Sequence, residues 1–431
     1  MIDLILKLAK ENCENLVAHR RFIHHLAETK FDTHKTAAYI ENELRALGCK
    51  PVHVGGGISA VIEGKLSFNS SPINNKDGKN GEKVTKKENF SKKFGNKCAL
   101  LRADMDALPI CEETGLPFAA KNGCMHACGH DMHAAMLLGA AKVLCQLRDS
   151  FSGKIKLLFQ PAEEILAGAR KAIDGGILKN PEVDCAVAIH VLTGTEIDVG
   201  SVILPISGIG APGADFFKII IKGKSGHGAS PEAGTSSALA GARIVSMLDT
   251  VVAQEIKHER TDVLSIGKIV CGRGANVTPE ICEIEGTLRS LNEKTREYLK
   301  KRIDEISSLV SEAHKCHSSL EITSSCPPLL NNDKIVKSAE ECLNLIYKSG
   351  ENPCNSALLF AKNFESPYST ASEDFSCISE AVPSVLIGLS AGKPSEGFKD
   401  GLHSPLTDFD EKALPIGAAV YAALGVYLLG E

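Results

Sequence analysis

Short and long apolar segments alternate along this chain, and the alternation restricts the folds that it can adopt. Residues 154–159 and 186–189 are short apolar runs of the kind that form buried strands. Residues 134–147 instead carry apolar side chains over the length of a helix. Strands that alternate with helices predict an α/β fold, in which helices cover both faces of a sheet.

The N-terminal part of the chain fits the same fold. Residues 2–28 and 35–47 have apolar positions at helical spacing, and 52–63 predicts a pair of strands that turns at Gly55-Gly56-Gly57. Residues 65–97 are rich in Lys, Asn, Ser and Gly, which predicts a solvated insertion between two strands.

The pattern changes between about residues 216 and 325. Predicted strands at 216–221, 263–270 and 281–289 combine with predicted helices at 236–250 and 294–313. Two strand–helix–strand units of this kind predict a small α+β sandwich. The α/β pattern returns after residue 332. We therefore predict a catalytic domain in two parts, 1–212 and 326–431, with residues 213–325 inserted as a separate domain.

Composition excludes several classes of protein. The formal net charge of −5 provides no basic surface for nucleic acid and no polybasic patch for a membrane. The first residues are too charged for a signal peptide, and no apolar stretch is long enough to span a bilayer. The 15 cysteines are odd in number and scattered, which favours a reducing, cytoplasmic location in which most are buried thiols.

The densest group of chemically active residues is the segment His126-Ala127-Cys128-Gly129-His130-Asp131-Met132-His133. Three imidazoles, a thiol and a carboxylate in eight residues suit zinc or a similar divalent ion. The alternative is the start of a helix that Asp131 caps, with histidines that are only surface polar groups.

Three further segments end apolar runs with polar residues. Glu163 and Glu164 follow one predicted strand, His190 ends another, and His403 lies in a late loop. Taken singly, the glutamates could be an acidic first turn of a helix, and each histidine could be a core residue. Taken together, they predict two metal sites at the strand ends of one sheet, formed by Cys128, His130, Glu164, His190 and His403.

Longer motifs resemble one family. They are LRADMDALPICEE at 101–113, residues 126–141, FQPAEEILAGARKA at 159–172, SGHGASP at 225–231, 275–287 with Arg289, SEDF at 372–375 and 402–418. The chain resembles the metal-dependent amidohydrolases that include N-acyl-amino-acid amidohydrolases, hippurate hydrolases and indole-acetyl-amino-acid hydrolases. The resemblance implies a mixed-sheet, metallopeptidase-like catalytic domain with the inserted domain acting as lid and in homodimerisation.

The same resemblance implies roles for individual residues. The five residues of the two metal sites would bind two divalent ions per subunit (zinc, manganese, cobalt or nickel), and Glu163 would be the general base. His227, Asn276 and Arg289 would bind the substrate; from the residues alone, Asn276 could be a turn residue and Arg289 a surface ion-pair partner. Asp106 is expected to orient a histidine, and Asp104 is a doubtful metal ligand.

These features predict a hydrolase that cleaves the amide bond of small N-acyl amino acids. An aminopeptidase or dipeptidase is the main alternative. Two others are a catalytically silent metal-stabilised binding module and a hydrolase with Cys128 as nucleophile. The last leaves Glu163, Glu164, His190 and His403 without a role.

Overall fold

A computed structural model describes residues 1–66, 97–257, 262–349, 356–364, 369 and 371–430. All but three residues of the predicted insertion at 65–97 lie outside the described residues. The chain forms two compact units. The first comprises Met1–Gly208, Asn331–Pro367 and Ala381–Glu431, and the second Ile209–Leu330 and Tyr368–Glu380. Whether these units fold as separate domains with the predicted boundaries stays a prediction.

An eight-stranded mixed sheet organises the first unit, in the order β1-β2-β4-β3-β5-β16-β6-β15. Neighbours β4, β3, β5 and β16 run parallel. The pairs β1–β2, β2–β4 and β6–β16 are antiparallel, and β15 runs parallel to β6. The strands are β1 (Val52–Val54), β2 (Gly57–Glu63), β3 (Cys98–Asp104), β4 (Lys154–Gln160), β5 (Cys185–Leu192), β6 (Val202–Leu204), β15 (Leu358–Phe360) and β16 (Ser384–Ser390).

Helices of the first unit pack around this sheet. They are α1 (Ile2–Glu11), α2 (Cys13–Leu26), α3 (His34–Ala46), α4 (His130–Gln146), α5 (Gly168–Asp174), α8 (Asp333–Lys348) and α10 (Ala413–Leu429). Nearly every residue of α4 and α10 is buried, and their side chains share one core with the sheet. The helix that begins at His130 is thereby held on both sides by packed apolar side chains.

The second unit has its own core, between a four-stranded antiparallel sheet and two long helices. The sheet order is β10 (Val263–Cys271), β12 (Ile281–Ser290), β8 (Gly213–Lys222) and β13 (His317–Cys326). Alternate residues of β8 are buried against α6 (Ser237–Glu255) and α7 (Glu293–Ala313). The remaining elements are β7 (Gly208–Ala211), β9 (Gly226–His227), β11 (Val277–Thr278), β14 (Leu329–Asn331) and α9 (Phe375–Ala381).

The predicted fold class, α/β with a mixed sheet, is confirmed. Residues 2–28, which have apolar positions at helical spacing, form two helices that meet at Asn12. No helix among the described residues is long and apolar enough to cross a membrane.

Candidate metal centre

Three parallel strands end at one edge of the first unit's sheet, and polar residues lie at each end. β3 ends at Asp104, β4 ends three residues before Glu163, and His190 is two residues from the end of β5. Carboxyl ends of parallel strands form the crevice in which open α/β sheets bind their ligands. The topology therefore gathers side chains that are far apart in the sequence.

The start of α4 supplies two more predicted ligands to this edge. Gly129, between Cys128 and His130, has φ of +83°, and a Cβ there would lie 2.3 Å from Val191 Cγ2. Only glycine combines this conformation with so close an approach. The sharp turn at Gly129 leads the chain into the helix with Cys128 and His130 both buried. His403 has φ of +65°, and its N–H donates to Ala127 O at 2.9 Å.

We call the five predicted metal ligands the donor cluster, and the structure brings all five together. The Nε2 atoms of His190 and His403 lie 3.6 and 3.3 Å from Cys128 Sγ. Glu164 lies 3.8 Å from His130 Nε2 and 3.7 Å from His403 Nε2. The donor atoms form two groups, in each of which all lie within 4.8 Å of one another: Cys128, His130, His190 and Cys128, Glu164, His403.

Hydrogen bonds fix which atoms of the donor cluster face its centre. His130 Nδ1 donates to Asp106 O and His190 Nδ1 to Val191 O, both at 2.8 Å, so both rings present Nε2 inward. Such an outer hydrogen bond is the usual arrangement for a histidine that binds a metal. His130 Nε2 and Glu164 Oε1 are buried and have no hydrogen-bond partner among the described residues.

The charges of this region also suit a cation. Burial raises the pKa of Glu164 to about 7, and the carboxylates of Asp106 and Asp104 act in the same direction. Burial likewise raises the pKa of the Cys128 thiol. Divalent ions would remove both penalties, since they favour the thiolate and the carboxylate. A thiol, three imidazoles and a carboxylate are a donor set that fits zinc and the later first-row metals.

Glu163 lies beside the donor cluster, with its Oε2 4.0 Å from His130 Nε2. The Asp106 carboxylate accepts hydrogen bonds from the main-chain N–H groups of Glu163 at 3.1 Å and Glu164 at 3.3 Å. Ala162, directly before them, has φ of +61°, a conformation that non-glycine residues rarely adopt without a functional reason. This turn directs two adjacent carboxylates to different neighbours.

The expected roles of the two aspartates near β3 need correction in one respect. The atom of Asp106 that orients His130 is its main-chain oxygen, while its carboxylate holds the Glu163–Glu164 turn. Asp104 accepts from Arg102 Nη1 at 2.7 Å and from His133 Nδ1 at 2.5 Å. Its carboxylate is therefore already engaged, in agreement with its doubtful status as a metal ligand.

The alternative in which residues 126–133 are surface groups is wrong, because Asp131 and His133 are fully buried. His133 Nε2 accepts the N–H of Val191 at 2.8 Å, and its Nδ1 donates to Asp104. Both ring nitrogens are thus used within the protein. His133 therefore has a structural role beside the donor cluster, although it lies only about one helical turn from His130.

Sequence reasoning missed a second polar group on the other side of α4, which we call the ionic cluster. Arg20 bonds Asp131 and Asp408 at 3.0 Å, and His24 lies between Asp131 at 2.9 Å and Glu112 at 3.1 Å. Its members are Arg20, His24, Glu112, Asp131, Asp408 and Glu411. His24 is a structural residue of this cluster.

The three predicted substrate-binding residues lie in the second unit on two different sheets. His227 pairs with Val277 in the β9–β11 ribbon, and Gly228 N donates to Asn276 O at 2.7 Å, so His227 and Asn276 are neighbours. Arg289 lies on β12 of the four-stranded sheet, where its guanidinium contacts Ser372 Oγ at 3.5 Å. The structure groups the first two and separates Arg289 from their ribbon.

Comparisons with known proteins agree with this arrangement. An N-acetyl-L-cysteine deacetylase of Bacillus subtilis is 32% identical, over 93% of this chain and 85% of its own. The IAA-amino acid hydrolase ILR1-like 2 of Arabidopsis thaliana is 32% identical, over 96% and 85%. The crystal structure of Bacillus subtilis YXEP, described as a dinuclear metal-binding peptidase, superposes with a TM-score of 0.71 at 26% identity, covering 97% and 99%. Residues 100–425 match peptidase family M20/M25/M40, and the chain belongs to that family.

Proposed function

We propose that this protein is a metal-dependent hydrolase that cleaves the amide bond of small N-acyl amino acids into a carboxylic acid and a free amino acid. The observation that carries the proposal is the donor cluster, with its two groups of atoms and the adjacent Glu163. The names of the relatives, an N-acetylcysteine deacetylase and a hydrolase of IAA-amino acids, support the same substrate class.

The five residues of the donor cluster are proposed to hold two divalent ions. Cys128 belongs to both groups of donor atoms, and its thiolate would be a strong ligand for such ions. Bound divalent ions would supply the Lewis acidity that polarises the amide carbonyl and makes water a nucleophile at neutral pH. Zinc, manganese, cobalt and nickel all suit these donors, and elemental analysis of the purified protein identifies which is present.

Glu163 is proposed as the general base and acid. Its buried carboxylate would take the proton from the attacking water and return it to the leaving nitrogen, which departs poorly as an amide anion. The Asp106 carboxylate, through the main-chain N–H of Glu163, would hold that carboxylate in place during both transfers.

His227, Asn276 and Arg289 are proposed to bind the substrate. Arg289 and Asn276 would hold the carboxylate of the amino acid, which favours small substrates over proteins, and His227 would stabilise the oxyanion. A guanidinium that binds a carboxylate in two places does so specifically, so Arg289→Lys should raise KM more than it lowers kcat. A fall in kcat at unchanged KM would contradict a role in ground-state binding.

The decisive experiment is Glu163→Gln. We expect a loss of activity of about 10³-fold, within the usual range for removing a general base, with the metal content unchanged. Glu113→Gln removes one carboxylate charge at an exposed site of the same unit and should leave both quantities unchanged. A Glu163→Gln protein that retains activity would rule out the proposed mechanism.

The alternatives give different results in simple assays. An aminopeptidase or dipeptidase needs a free amine, so it would prefer a dipeptide to the corresponding N-acetyl or N-benzoyl amino acid. A Cys128 nucleophile would survive chelation, whereas the proposed enzyme should lose activity with a chelator and regain it when the metal is restored. A silent binding module would turn over neither class of substrate.

Homodimerisation through the second unit and a cytoplasmic location are further proposals. Light scattering of the purified protein tests the first, since a dimer has twice the chain mass of 45.9 kDa. In support of the second, the 14 cysteines among the described residues are all free thiols, as expected of a reducing compartment.

A further inference from the structure

Two cysteines far from the donor cluster lie at the ends of two packed helices. Gly48, with φ of +75°, and Cys49 close α3 with the two reverse hydrogen bonds of a Schellman motif, Gly48 N to Arg45 O and Cys49 N to Leu44 O. Cys145 lies in the last turn of α4. The Sγ atoms of Cys49 and Cys145 are 3.6 Å apart.

An arginine lies against both sulfur atoms. Arg148, in a short 3₁₀ turn after α4, places its Nη2 3.3 Å from Cys145 Sγ and 3.6 Å from Cys49 Sγ. The hydrogen bond from Cys145 lowers the pKa of Cys49 to about 7, and Arg148 adds to this effect against the opposing effect of burial. The same hydrogen bond raises the pKa of Cys145. One thiolate is thus stabilised by the second thiol and by a cation.

Cys49 also borders a cleft formed by described residues. Cys49 and Arg148 line a cleft of about 810 Å³ at the β1–β2 edge of the sheet, with Lys50, Glu63 and Lys65 among its other lining residues. Cys49 is 7% exposed, and the cleft is the side from which a molecule of the size of hydrogen peroxide would approach it. Among the charged groups that line the cleft, Arg148 contacts the Cys49 sulfur and favours its thiolate over the thiol.

We propose that Cys49 and Cys145 are an oxidation site for hydrogen peroxide and small hydroperoxides, and that the reaction joins them as a disulfide. The Cys49 thiolate attacks one oxygen of the peroxide, the O–O bond breaks, and Cys49 sulfenic acid forms with release of hydroxide. Cys145 sulfur then attacks the sulfenic sulfur, the S–S bond forms, and water leaves with the proton of Cys145. Two thiols are oxidised and one peroxide is reduced to two waters.

The geometry allows this bond. A disulfide requires about 2.05 Å between sulfur atoms, so the two must approach by about 1.5 Å, and Cys49 lies in a turn after its helix rather than within it. The site is also independent of the proposed hydrolysis, because Cys145 stands 15 residues along α4 from His130, or about 22 Å at 1.5 Å per residue.

A second cysteine pair in the same unit serves as a matched control. Cys98 and Cys185 lie on the neighbouring parallel strands β3 and β5 and are buried like Cys49. Burial raises their pKa values to about 11 and about 12, so they are thiols at neutral pH. Cys98→Ser should therefore leave the rate of oxidation at Cys49 unchanged.

The test is peptide mass mapping of the metal-loaded protein after treatment with hydrogen peroxide at neutral pH and alkylation of the remaining thiols. We expect a cross-linked peptide that contains Cys49 and Cys145, two hydrogens lighter and separated by dithiothreitol. In Cys145→Ser, a cyclic 1,3-diketone should trap Cys49 as the sulfenic acid. Arg148→Gln should react severalfold more slowly, because it removes the cation that favours the Cys49 thiolate while the hydrogen bond from Cys145 remains.

Three results would overturn the proposal. One is folded wild-type protein in which both cysteines remain alkylated after oxidation. Another is a Cys145→Ser protein whose Cys49 is not trapped by the diketone. The third is an Arg148→Gln protein that forms the disulfide as fast as the wild type. Mapping at the two peptides keeps these results separate from any oxidation of Cys128.

Discussion

The donor cluster and the ionic cluster flank the start of the same helix, and both consist of buried polar side chains. In the ionic cluster, a guanidinium and an imidazolium face the carboxylates of Asp131, Glu112 and Asp408 at 2.9 to 3.1 Å. In the donor cluster, distances between possible partners are 3.3 to 3.8 Å, and His130 Nε2 and Glu164 Oε1 have no hydrogen-bond partner among the described residues.

This difference separates a structural network from a site. Buried charges stabilise a fold when oppositely charged groups face them. In the ionic cluster Arg20 and His24 face carboxylates at hydrogen-bond distance, although Asp131 Oδ1 accepts no hydrogen bond among the described residues. Acceptors that converge without donors are costly unless a cation binds between them, so the donor cluster fits divalent ions. Burial and polarity alone do not distinguish the two clusters.

The largest effect should come from Cys128→Ser, which breaks the donor cluster at the residue common to both groups of donor atoms. A serine hydroxyl is a far weaker ligand than a thiolate, so we expect the metal content to fall from about two ions per chain toward none. Activity should fall to background with it. Elemental analysis and an assay with an N-acyl amino acid measure both effects.

Cys342→Ser, at a buried cysteine of α8, is the control for loss of a core thiol. It should retain metal and activity. A Cys128→Ser protein with full metal content would show that Cys128 is not a metal ligand and that the donor cluster, like the ionic cluster, has only a structural role.

The next largest effect is expected in the ionic cluster. Arg20→Met leaves Asp131 buried without its strongest cationic partner, and breaking a buried pair in this way costs about 3–5 kcal/mol of unfolding free energy. Urea denaturation measures this loss. Any remaining folded protein should still bind metal, because Arg20 contacts no member of the donor cluster in the described hydrogen bonds and ion pairs. If Arg20→Met instead lost metal at unchanged stability, the distinction between a structural ionic cluster and a metal-binding donor cluster would be contradicted.

The pH dependence of stability probes the same cluster through His24. Burial alone would lower the pKa of His24, but hydrogen bonds to Asp131 and Glu112 outweigh it and raise the pKa to about 9 from 6.5. The stabilisation is therefore complete below about pH 6.5 and is lost as the pH rises through about 9. The difference between the two pKa values corresponds to about 3 kcal/mol of unfolding free energy.

Unfolding of the wild type and of His24→Gln between pH 6 and 10 isolates this contribution. The wild type should lose stability relative to the variant as the pH rises. Parallel curves would show that folding does not raise the pKa of His24.

The sequence predicts one of these clusters and not the other for a physical reason. Except for His403, which lies in a loop, each donor lies at the end of an apolar strand or at the start of a helix, so the α/β topology alone brings Glu164 and His190 to one edge. Asp131, which bonds both Arg20 and His24, lies 107 or more residues from them in the chain. The partners of the two residues sit on helices and loops, and the periodicity of the sequence does not specify how these elements are rotated about their axes. His24 is buried and its neighbour His25 is not, which only the packing of α2 decides.

The same limit applies within the metal-binding segment. His130 and His133 lie on one helical face three residues apart, and residue type gives no reason to prefer either as a ligand. The structure distinguishes them because both ring nitrogens of His133 already make hydrogen bonds, one to Asp104 and one to the N–H of Val191. The sequence analysis placed His130 in the predicted metal sites, and the structure brings its ring together with Cys128 and His190.

The smallest effect should come from Arg21, the sequence neighbour of Arg20. Its guanidinium makes two short bonds to Glu411, at 2.9 and 2.7 Å, so by geometry the pair is as good as those of Arg20. The Arg21 side chain is however 50% exposed, compared with 2% for Arg20. Exposed ion pairs contribute at most about 1 kcal/mol, because water solvates both partners when the pair is broken.

Arg21→Gln should therefore change the unfolding free energy by less than about 1 kcal/mol, in the same urea experiment in which Arg20→Met loses several times as much. Both arginines contact Glu411, but Arg20 also bonds Asp131 and Asp408, so the comparison sets a buried network against one exposed pair. Equal losses in the two variants would mean that hydrogen-bond geometry, and not the absence of water, determines the stability of the ionic cluster. The only remaining difference from the donor cluster would then be its two buried atoms, His130 Nε2 and Glu164 Oε1, that have no hydrogen-bond partner among the described residues.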